Sequence, residues 1–269
     1  MTSRPLPPAR FIQLFLASHA VALIAFFLWP AQWAWIAGGL LSLHALVAAA
    51  GLWPTCALLG PNITHLPKEA AARGEIAITI DDGPDPHVTP EVLRILREHG
   101  ARATFFCIGE RAHAHADLCR EIIAAGHAVE SHGQRHRTLT ALCGPRGWQR
   151  EIVDAQHTLK MVTGRAPTFF RPIAGLRNPF LEPLLQRLGL RLVSWTRRGY
   201  DTRAVEPARV YEKLTRNLTG GEILLLHDGN AARSANGIPI ILDVLPRLLD
   251  ELARRSLKTV TLREACTPV

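Results

Sequence analysis

Ile76-Ala77-Ile78-Thr79-Ile80-Asp81-Asp82-Gly83-Pro84-Asp85 is an apolar run that ends in two carboxylates and a turn. A short apolar run bounded by turn residues reads as a buried strand, here over 76–80. Thr89 then caps a helix with Pro90 at its first position, and Gly100 closes it. The alternation continues outward. Strands are expected at 103–107, 128–131, 168–171, 191–195, 223–227 and 258–261. Helices are expected at 116–125, 148–162, 183–188, 207–218 and 240–254, with Gly126 and Gly164 as stops. Strand–helix alternation implies parallel strands joined by helical crossovers. The fold class expected is α/β, an incomplete (β/α)7-type barrel. In such folds chemistry gathers where strands end, at their C-terminal edges.

Working back toward the N-terminus, residues 54–73 carry Pro54, Pro61 and Pro67 and no clear periodicity, and are expected to be a linker. Before them lie two stretches without a charged residue, 11–29 and 33–53. Each is close to the ~20 residues that a helix needs to cross the hydrocarbon core. Trp29, Trp33 and Trp35 gather at the turn between them and Trp53 stands at the far end, as an interfacial aromatic belt requires. A signal peptide would have a shorter hydrophobic region followed by a small-residue cleavage site. Here a second apolar stretch follows at once, so a two-helix transmembrane hairpin is expected. The chain is therefore divided into an anchor (1–53), a linker (54–73) and a catalytic domain (74–269). Both ends of a hairpin lie on one side. Arg4 and Arg10 flank the first span, Lys68 and Arg73 follow the second, and the turn is uncharged. The positive-inside rule places the catalytic domain on the cytoplasmic side of the inner membrane.

The formal net charge of +8 over 269 residues favours an anionic partner, nucleic acid or a membrane surface. No cluster of Lys and Arg with interleaved aromatics occurs, so nucleic acid is set aside and the membrane is kept as a partner. Five cysteines at irregular spacing, without a Cys-x-x-Cys, argue for reduced thiols rather than a disulfide framework.

The reactive residues do follow strands. Asp81 and Asp82 come after 76–80, His132-Gly133-Gln134-Arg135-His136 after 128–131, and Arg171-Pro172-Ile173-Ala174-Gly175 after 168–170. Arg197-Arg198-Gly199-Tyr200-Asp201 follows 191–195, and His227-Asp228-Gly229 closes the strand at 223–227. Adjacent carboxylates at a strand end diverge, so one can bind a metal while the other stays free as a base. Taken alone, Asp-Asp-Gly-Pro reads equally well as a polar turn, and His-x3-His as two surface histidines. Together, one Asp and two His form a two-His-one-carboxylate set with open positions, suited to Zn²⁺ and to other divalent transition metals such as Co²⁺ or Ni²⁺. Trp195 at a strand end suits either the floor of a sugar groove or the core. Asp85 and Asp228 read as turn or cap residues, and His127 as a surface or helix-terminus histidine.

These motifs resemble the polysaccharide deacetylases, carbohydrate esterase family 4, over about 76–263. Thr79-Ile80-Asp81-Asp82-Gly83-Pro84 looks like the family's first motif, His132 to His136 its second and Phe170-Arg171-Pro172 its third. The 195–201 region looks like the fourth, and Leu225-Leu226-His227-Asp228 the fifth. The resemblance implies hydrolysis of an N-acetyl group from an amino sugar. Asp82, His132 and His136 would hold the metal, Asp81 would be the general base and His227 the general acid. Arg171 would pair with Asp81, and Asp201 would orient His227 or neutralise Arg171. The backbone N–H of Ala174 would meet the developing oxyanion, with Trp195 and Leu225 against the substrate.

Three departures from the family's pattern stand out. Gly133 replaces a Ser or Thr whose hydroxyl would brace the second motif. Ile173-Ala174 replaces the Pro-aromatic pair that ends the third motif, which leaves the backbone donor but removes an aromatic wall of the groove. Arg198 and Thr202 stand near places where the fourth motif carries an acid and its final Asp-Trp. An active enzyme with an unusual substrate is expected. The anchor suggests a lipid-linked saccharide. Two other readings remain: a catalytically silent glycan-binding or scaffold module, and a hydrolase of another amide such as a formamido sugar.

Overall fold

The computed structural model describes residues 9–204 and 206–266. Arg4, one of the charges flanking the first span, lies outside the described residues. Two helices open the chain, α1 (Arg10–Leu28) and α2 (Trp33–Leu52), joined by a 3-10 turn at Pro30–Gln32. Both are apolar all round and long enough to cross a membrane. Among the described residues their outer surfaces meet no protein partner: Phe27 is 74% exposed and Trp35 82%. Between them the rings of Phe15, His19 and His44 meet, with centroids 4.6–5.1 Å apart. Of α2, only Ala50 and Gly51 in its last turn are buried.

Residues 54–73 are folded onto the rest of the chain. Leu59 and Leu66 are buried, and a short helix, α3 (Lys68–Ala72), buries Ala70. The apolar residues of this segment sit singly between prolines, so no periodicity betrays their packing.

Then comes the alternation: β1 (Glu75–Asp81), α4 (Thr89–Glu98), β2 (Ala103–Cys107), α5 (Gly109–Ala114), α6 (Ala116–Ala124) and β3 (Ala128–Ser131). It continues with α7 (Pro145–Thr163), β4 (Phe169–Phe170), α8 (Leu181–Arg187), β5 (Arg191–Leu192) and β6 (Arg197–Arg198). The chain closes with α9 (Pro207–Thr215), β7 (Ile223–His227), α10 (Ile240–Arg254), β8 (Lys258–Thr259) and α11 (Leu262–Cys266). Seven strands run parallel in the order β5-β4-β3-β2-β1-β7-β6, with β8 paired to the start of β1. The result is an incomplete α/β barrel.

The expected strand at 191–195 is divided. Its first residues pair with β4, and the chain then crosses to β7 as β6. Val193 N–H bonds Phe170 O and Thr196 N–H bonds Ile223 O. One stretch of chain serves both edges of the sheet, so neither ladder is long, and Ile63 bridges Val193 at this seam. A second correction concerns Thr89, which is the first residue of α4 and not its cap. Its hydroxyl accepts Asp85 N–H at 2.8 Å and donates to the carboxylate of Asp228. Helix α5 was not foreseen, because 109–114 carries no apolar stripe.

The two-residue period of the strands sorts the core. Ile78, Ile80, Leu224 and Leu226 face the surrounding helices with Val92, Leu96 and Leu245. Ala77, Phe106, Phe169, Val193, Ile223 and Leu225 fill the barrel with Leu66, Ala70 and Leu262 from α3, its lead-in and α11. In register, Thr79 lies opposite Leu225 and Asp81 opposite His227. The inward phase that buries Leu225 therefore carries Asp81 and His227 to the open end of the barrel.

Candidate active site

Asp81 is the last residue of β1 and lies 2% exposed. Its Oδ1 accepts Arg171 Nη1–H at 2.6 Å. Arg171, fully buried, also donates to Thr79 Oγ1 at 2.8 Å and to Ser194 O at 2.7 Å, and packs on the Phe106 ring at 4.1 Å. Burial pushes the guanidinium down from its ordinary range while the Asp81 carboxylate opposes that. The other Asp81 oxygen, Oδ2, stands 3.9 Å from His132 Nε2 and faces the cavity.

His132 follows β3. Its Nδ1 lies 2.7 Å from Arg171 O. A carbonyl only accepts, so Nδ1 carries the proton and Nε2 presents its lone pair. Asp82 Oδ1 lies 3.1 Å from that Nε2 and 2.9 Å from His136 Nε2. Asp82 takes a left-handed backbone, φ 73°, which turns its side chain away from that of Asp81. Its Oδ2 is occupied by Asn230 Nδ2–H at 2.9 Å, and its main-chain oxygen by Arg111 at 2.8 Å. Among the described residues, Oδ1 is buried without a hydrogen-bond donor. One donor atom from each of Asp82, His132 and His136 falls within 4.8 Å of the others. An orphaned carboxylate oxygen facing two imidazole nitrogens is the arrangement a divalent cation would relieve, so the donor set fits a metal of the zinc type. Burial would raise the Asp82 carboxyl, but the imidazoles of His132 and His136, when protonated, outweigh it and hold the group well below the carboxylate range.

His227 ends β7. Its Nδ1 lies 2.8 Å from Asp201 Oδ1, and its main-chain N–H donates to Asp201 Oδ2 at 2.7 Å. A carboxylate only accepts, so Nδ1–H is fixed and Nε2 faces the cavity. Burial lowers the His227 pKa, but the Asp201 charge and hydrogen bond, together with the charges of Asp81 and Asp82, more than offset it, and the net direction is up. Asp201 is fully buried. Its partner is His227, not Arg171.

These groups line a cavity of about 210 Å³ with Ala174, Trp195, Leu225, Ile173, Arg198, Thr202 and Asn230. Arg171 and Asp201 stand behind its wall. Ala174 sits in a left-handed turn, φ 52°, just after β4. Trp195 is 6% exposed, so it serves both core and cavity. Arg198 stacks on Trp195 and Tyr200, at 5.3 and 5.2 Å.

The second motif is braced without a hydroxyl at position 133. Glu151 Oε1, from α7, accepts Arg135 N–H at 2.7 Å and His136 N–H at 3.2 Å. Gly133 has φ 83°, and a Cβ there would come within 2.8 Å of that same oxygen. The glycine makes room for the brace that replaces the usual hydroxyl. Glu151, Asn230 and Arg111 escaped sequence reasoning. Asn230 follows the His-Asp-Gly run at a strand end, which is a usable signal; Glu151 and Arg111 lie in helices with nothing local to mark them. Asp228 is more than a cap. It is buried, takes the Thr89 hydroxyl, and burial pushes its carboxyl up to about 7. His127 is buried too, its Nδ1 accepting Ala103 N–H at 3.3 Å, and burial lowers it to about 4.

Comparison with known proteins gives one consistent picture. The family described as polysaccharide deacetylase matches residues 68–193. A peptidoglycan-N-acetylglucosamine deacetylase of Bacillus cereus is 31% identical over 70% of this chain and 86% of its own length. A chitooligosaccharide deacetylase of Azorhizobium caulinodans is 37% identical over 58% of this chain and 75% of its own. Among solved structures, the Bc1960 peptidoglycan N-acetylglucosamine deacetylase, bound to 4-naphthalen-1-yl-N-oxidanyl-benzamide, superposes with a TM-score of 0.68. It is 25% identical, and the match covers 76% of this chain and 92% of that one.

Proposed function

The chain belongs to the polysaccharide deacetylase family, carbohydrate esterase family 4, and from that membership we propose how it acts: as a membrane-anchored, metal-dependent N-deacetylase of an N-acetylated amino sugar. The relatives act, by their names, on N-acetylglucosamine in peptidoglycan and on chitooligosaccharide. Asp82, His132 and His136 are the residues that would hold the metal, with Zn²⁺ favoured by the two imidazoles and Co²⁺ or Ni²⁺ able to use the same donors. A divalent cation bound there would polarise the acyl carbonyl and lower the pKa of a water beside it.

The chain's own groups do the rest. Asp81 Oδ2 takes the proton of the attacking water, while Arg171 holds Oδ1 and fixes the carboxylate plane. The Ala174 N–H faces the oxygen on which charge develops. His227 gives its Nε2 proton to the departing nitrogen as the C–N bond breaks, so acetate and a free amine leave. Asp201 holds the imidazole for that transfer. Trp195 and Leu225 form the apolar floor under the acetyl group and sugar.

The observation that carries this reading is the register Asp81 opposite His227, which sets a base and an acid on neighbouring strand ends with the metal set at their mouth. It is tested by amine release from a panel of N-acetylated sugars, free and lipid-linked, with Asp82→Ala beside the wild type. Release by the wild type alone supports the deacetylase. A metal-loaded wild type inert on every member would turn the reading toward a formamido or other amide, or toward a silent glycan-binding module.

The hairpin over 1–53 is read as two transmembrane spans and 74–269 as the catalytic domain. The unpartnered apolar surface of α1 and α2 supports a bilayer around them. Charge at the flanks favours the cytoplasmic face of the inner membrane for the catalytic domain, where amino sugars on lipid carriers would be within its reach. Labelling of a cysteine introduced at the Pro30–Gln32 turn by an impermeant reagent on intact cells tests the sidedness; protection of that turn would reverse it.

A further inference from the structure

The hairpin does not leave the catalytic domain at an arbitrary point. Gly51 O, in the last turn of α2, accepts Arg177 N–H at 3.1 Å. The fit is close: a Cβ at Gly51 would meet Arg177 O at 2.2 Å. Pro54, just past the helix, accepts Ser194 Oγ–H at 2.6 Å through its carbonyl. A Cβ at Gly175 would lie 2.4 Å from the Pro54 ring. Gly175 adjoins Ala174, which lines the reaction cavity. The end of the helix is thus fastened to the turn that forms one wall of the active site.

Exposed apolar side chains collect around that junction. Asn178, next to Arg177, donates to Ala141 O and Cys143 O, both at 2.8 Å. Leu142 between those carbonyls is 81% exposed, and Leu139 one turn earlier 70%. Phe180 and Trp53 are exposed as well. A bilayer that holds α2 meets these side chains at its surface, which accounts for apolar groups at the rim of an otherwise polar site.

The same rim carries guanidinium groups. A groove of about 630 Å³ adjoins the reaction cavity, and His136 lines both. Arg135, Arg137 and Arg150 border it, and Arg146 stands beside Arg150 in the next opening. Arg135 pairs with Glu110 at 3.1 Å. Arg137, Arg146 and Arg150 have no carboxylate partner among the described residues. Of the groove's acids, Glu151 is engaged with the main chain of Arg135 and His136, and Asp154 lines both openings beside Arg150 without forming an ion pair among the described residues, one carboxylate against three guanidinium groups. Inside the cavity, Arg198 too lacks a carboxylate among the described residues, and its buried Nε has no acceptor among them. A neutral glycan gives none of these cations a counter-charge; a phosphate matches the guanidinium fork.

We propose that the sugar deacetylated here is carried on a membrane lipid through phosphate, the phosphate lying against Arg137, Arg146 and Arg150 and the sugar passing His136 into the cavity. The inference rests on the deacetylase reading and on the hairpin lying in a bilayer. The lipid stays in the membrane, the anionic link meets the basic rim, and only the saccharide enters the site.

The test uses the full chain in nanodiscs, loaded with Zn²⁺, on three substrates that share N-acetylglucosamine. These are a polyprenyl-diphosphate-linked sugar, the soluble sugar 1-phosphate and a neutral chitooligosaccharide. The lipid-linked substrate is expected to have the highest kcat/KM. Replacing Arg137, Arg146 and Arg150 together by Gln is expected to raise its KM about a hundredfold, at about fivefold for each charge near a membrane surface, with kcat much less affected. Gly51→Val, which breaks the docking contact, should narrow the preference for lipid-linked over soluble phosphate. Equal kcat/KM on the neutral oligosaccharide would overturn the inference and leave the deacetylase standing. Equal values on the two phosphates would overturn delivery from the membrane. Amine release from none of the three would overturn the deacetylase reading itself.

Discussion

The inner and outer halves of the site are built differently. The inner half, Asp81, Arg171, Asp201 and His227, is buried on strand ends and in the chain just beyond them, and the ion pairs Arg171–Asp81 and Asp201–His227 close on themselves. The outer half, His136, Ala174, Arg198 at the end of the two-residue strand β6 and the loop from 133 to 143, is more exposed and made mostly of turns. All three departures from the family's motifs fall in this outer half. Strand register can hold reacting groups to a fraction of an ångström, whereas loops can change without moving the barrel. Inner residues should therefore govern the rate of chemistry, and outer ones metal affinity, loop stability and choice of substrate.

The sharpest way to break this division is Asp81→Asn. Loss of a general base costs about a thousandfold in kcat, and metal content measured by elemental analysis should be unchanged. A loss under tenfold would show that the inner half does not set the rate. Next in size is Asp201→Asn. A carboxylate that orients the acid is expected to matter by about a hundredfold in kcat, and the pH profile gives a second readout. Asp201 raises the His227 pKa against the burial that lowers it. The acid is therefore protonated below the raised value, and activity is lost as pH climbs through it. With Asn the contribution of the Asp201 charge is lost while burial still lowers the pKa, so the alkaline limb should move to lower pH. An unmoved limb would assign that limb to another group.

Outer residues should respond differently. Glu151→Ala unties the loop that carries His136 and should weaken metal binding about tenfold, visible in competition with a chelator, while excess metal restores most of the rate. A rate that stays low at saturating metal would place Glu151 with the chemistry. The smallest effect expected is for Gly133→Ala. A left-handed residue with a Cβ costs about 1–2 kcal/mol, and here it also presses on Glu151 Oε1. Thermal melting of the metal-loaded protein should register it; an unchanged midpoint would mean that the loop yields freely.

Much of the inner half was legible in the chain. Asp81, Asp82, His132, Arg171 and His227 each follow an apolar run, and a strand end is where a barrel displays its reactive groups. Asp201 reads in the sequence with two partners open to it, His227 and Arg171, because nothing local says which basic group a carboxylate will meet. The outer half was legible only in part. Position 133 could be recognised as lacking a hydroxyl, yet the brace that replaces it comes from Glu151 on a helix two elements away. The strand at 191–195 was read as continuous because apolar character does not reveal that a segment changes neighbours midway.

By itself, the sequence determined the alternation of strands and helices, the apolar hairpin, and which residue types stand at strand ends, since these follow from local periodicity and spacing. Only the tertiary structure decided that Asp201 holds His227, that Asn230 leaves one Asp82 oxygen free for a cation, and that the last turn of α2 is pinned beside the active-site wall. Those arrangements join residues tens to more than a hundred positions apart, and no local pattern encodes a contact whose partners are chosen by how strands and helices pack.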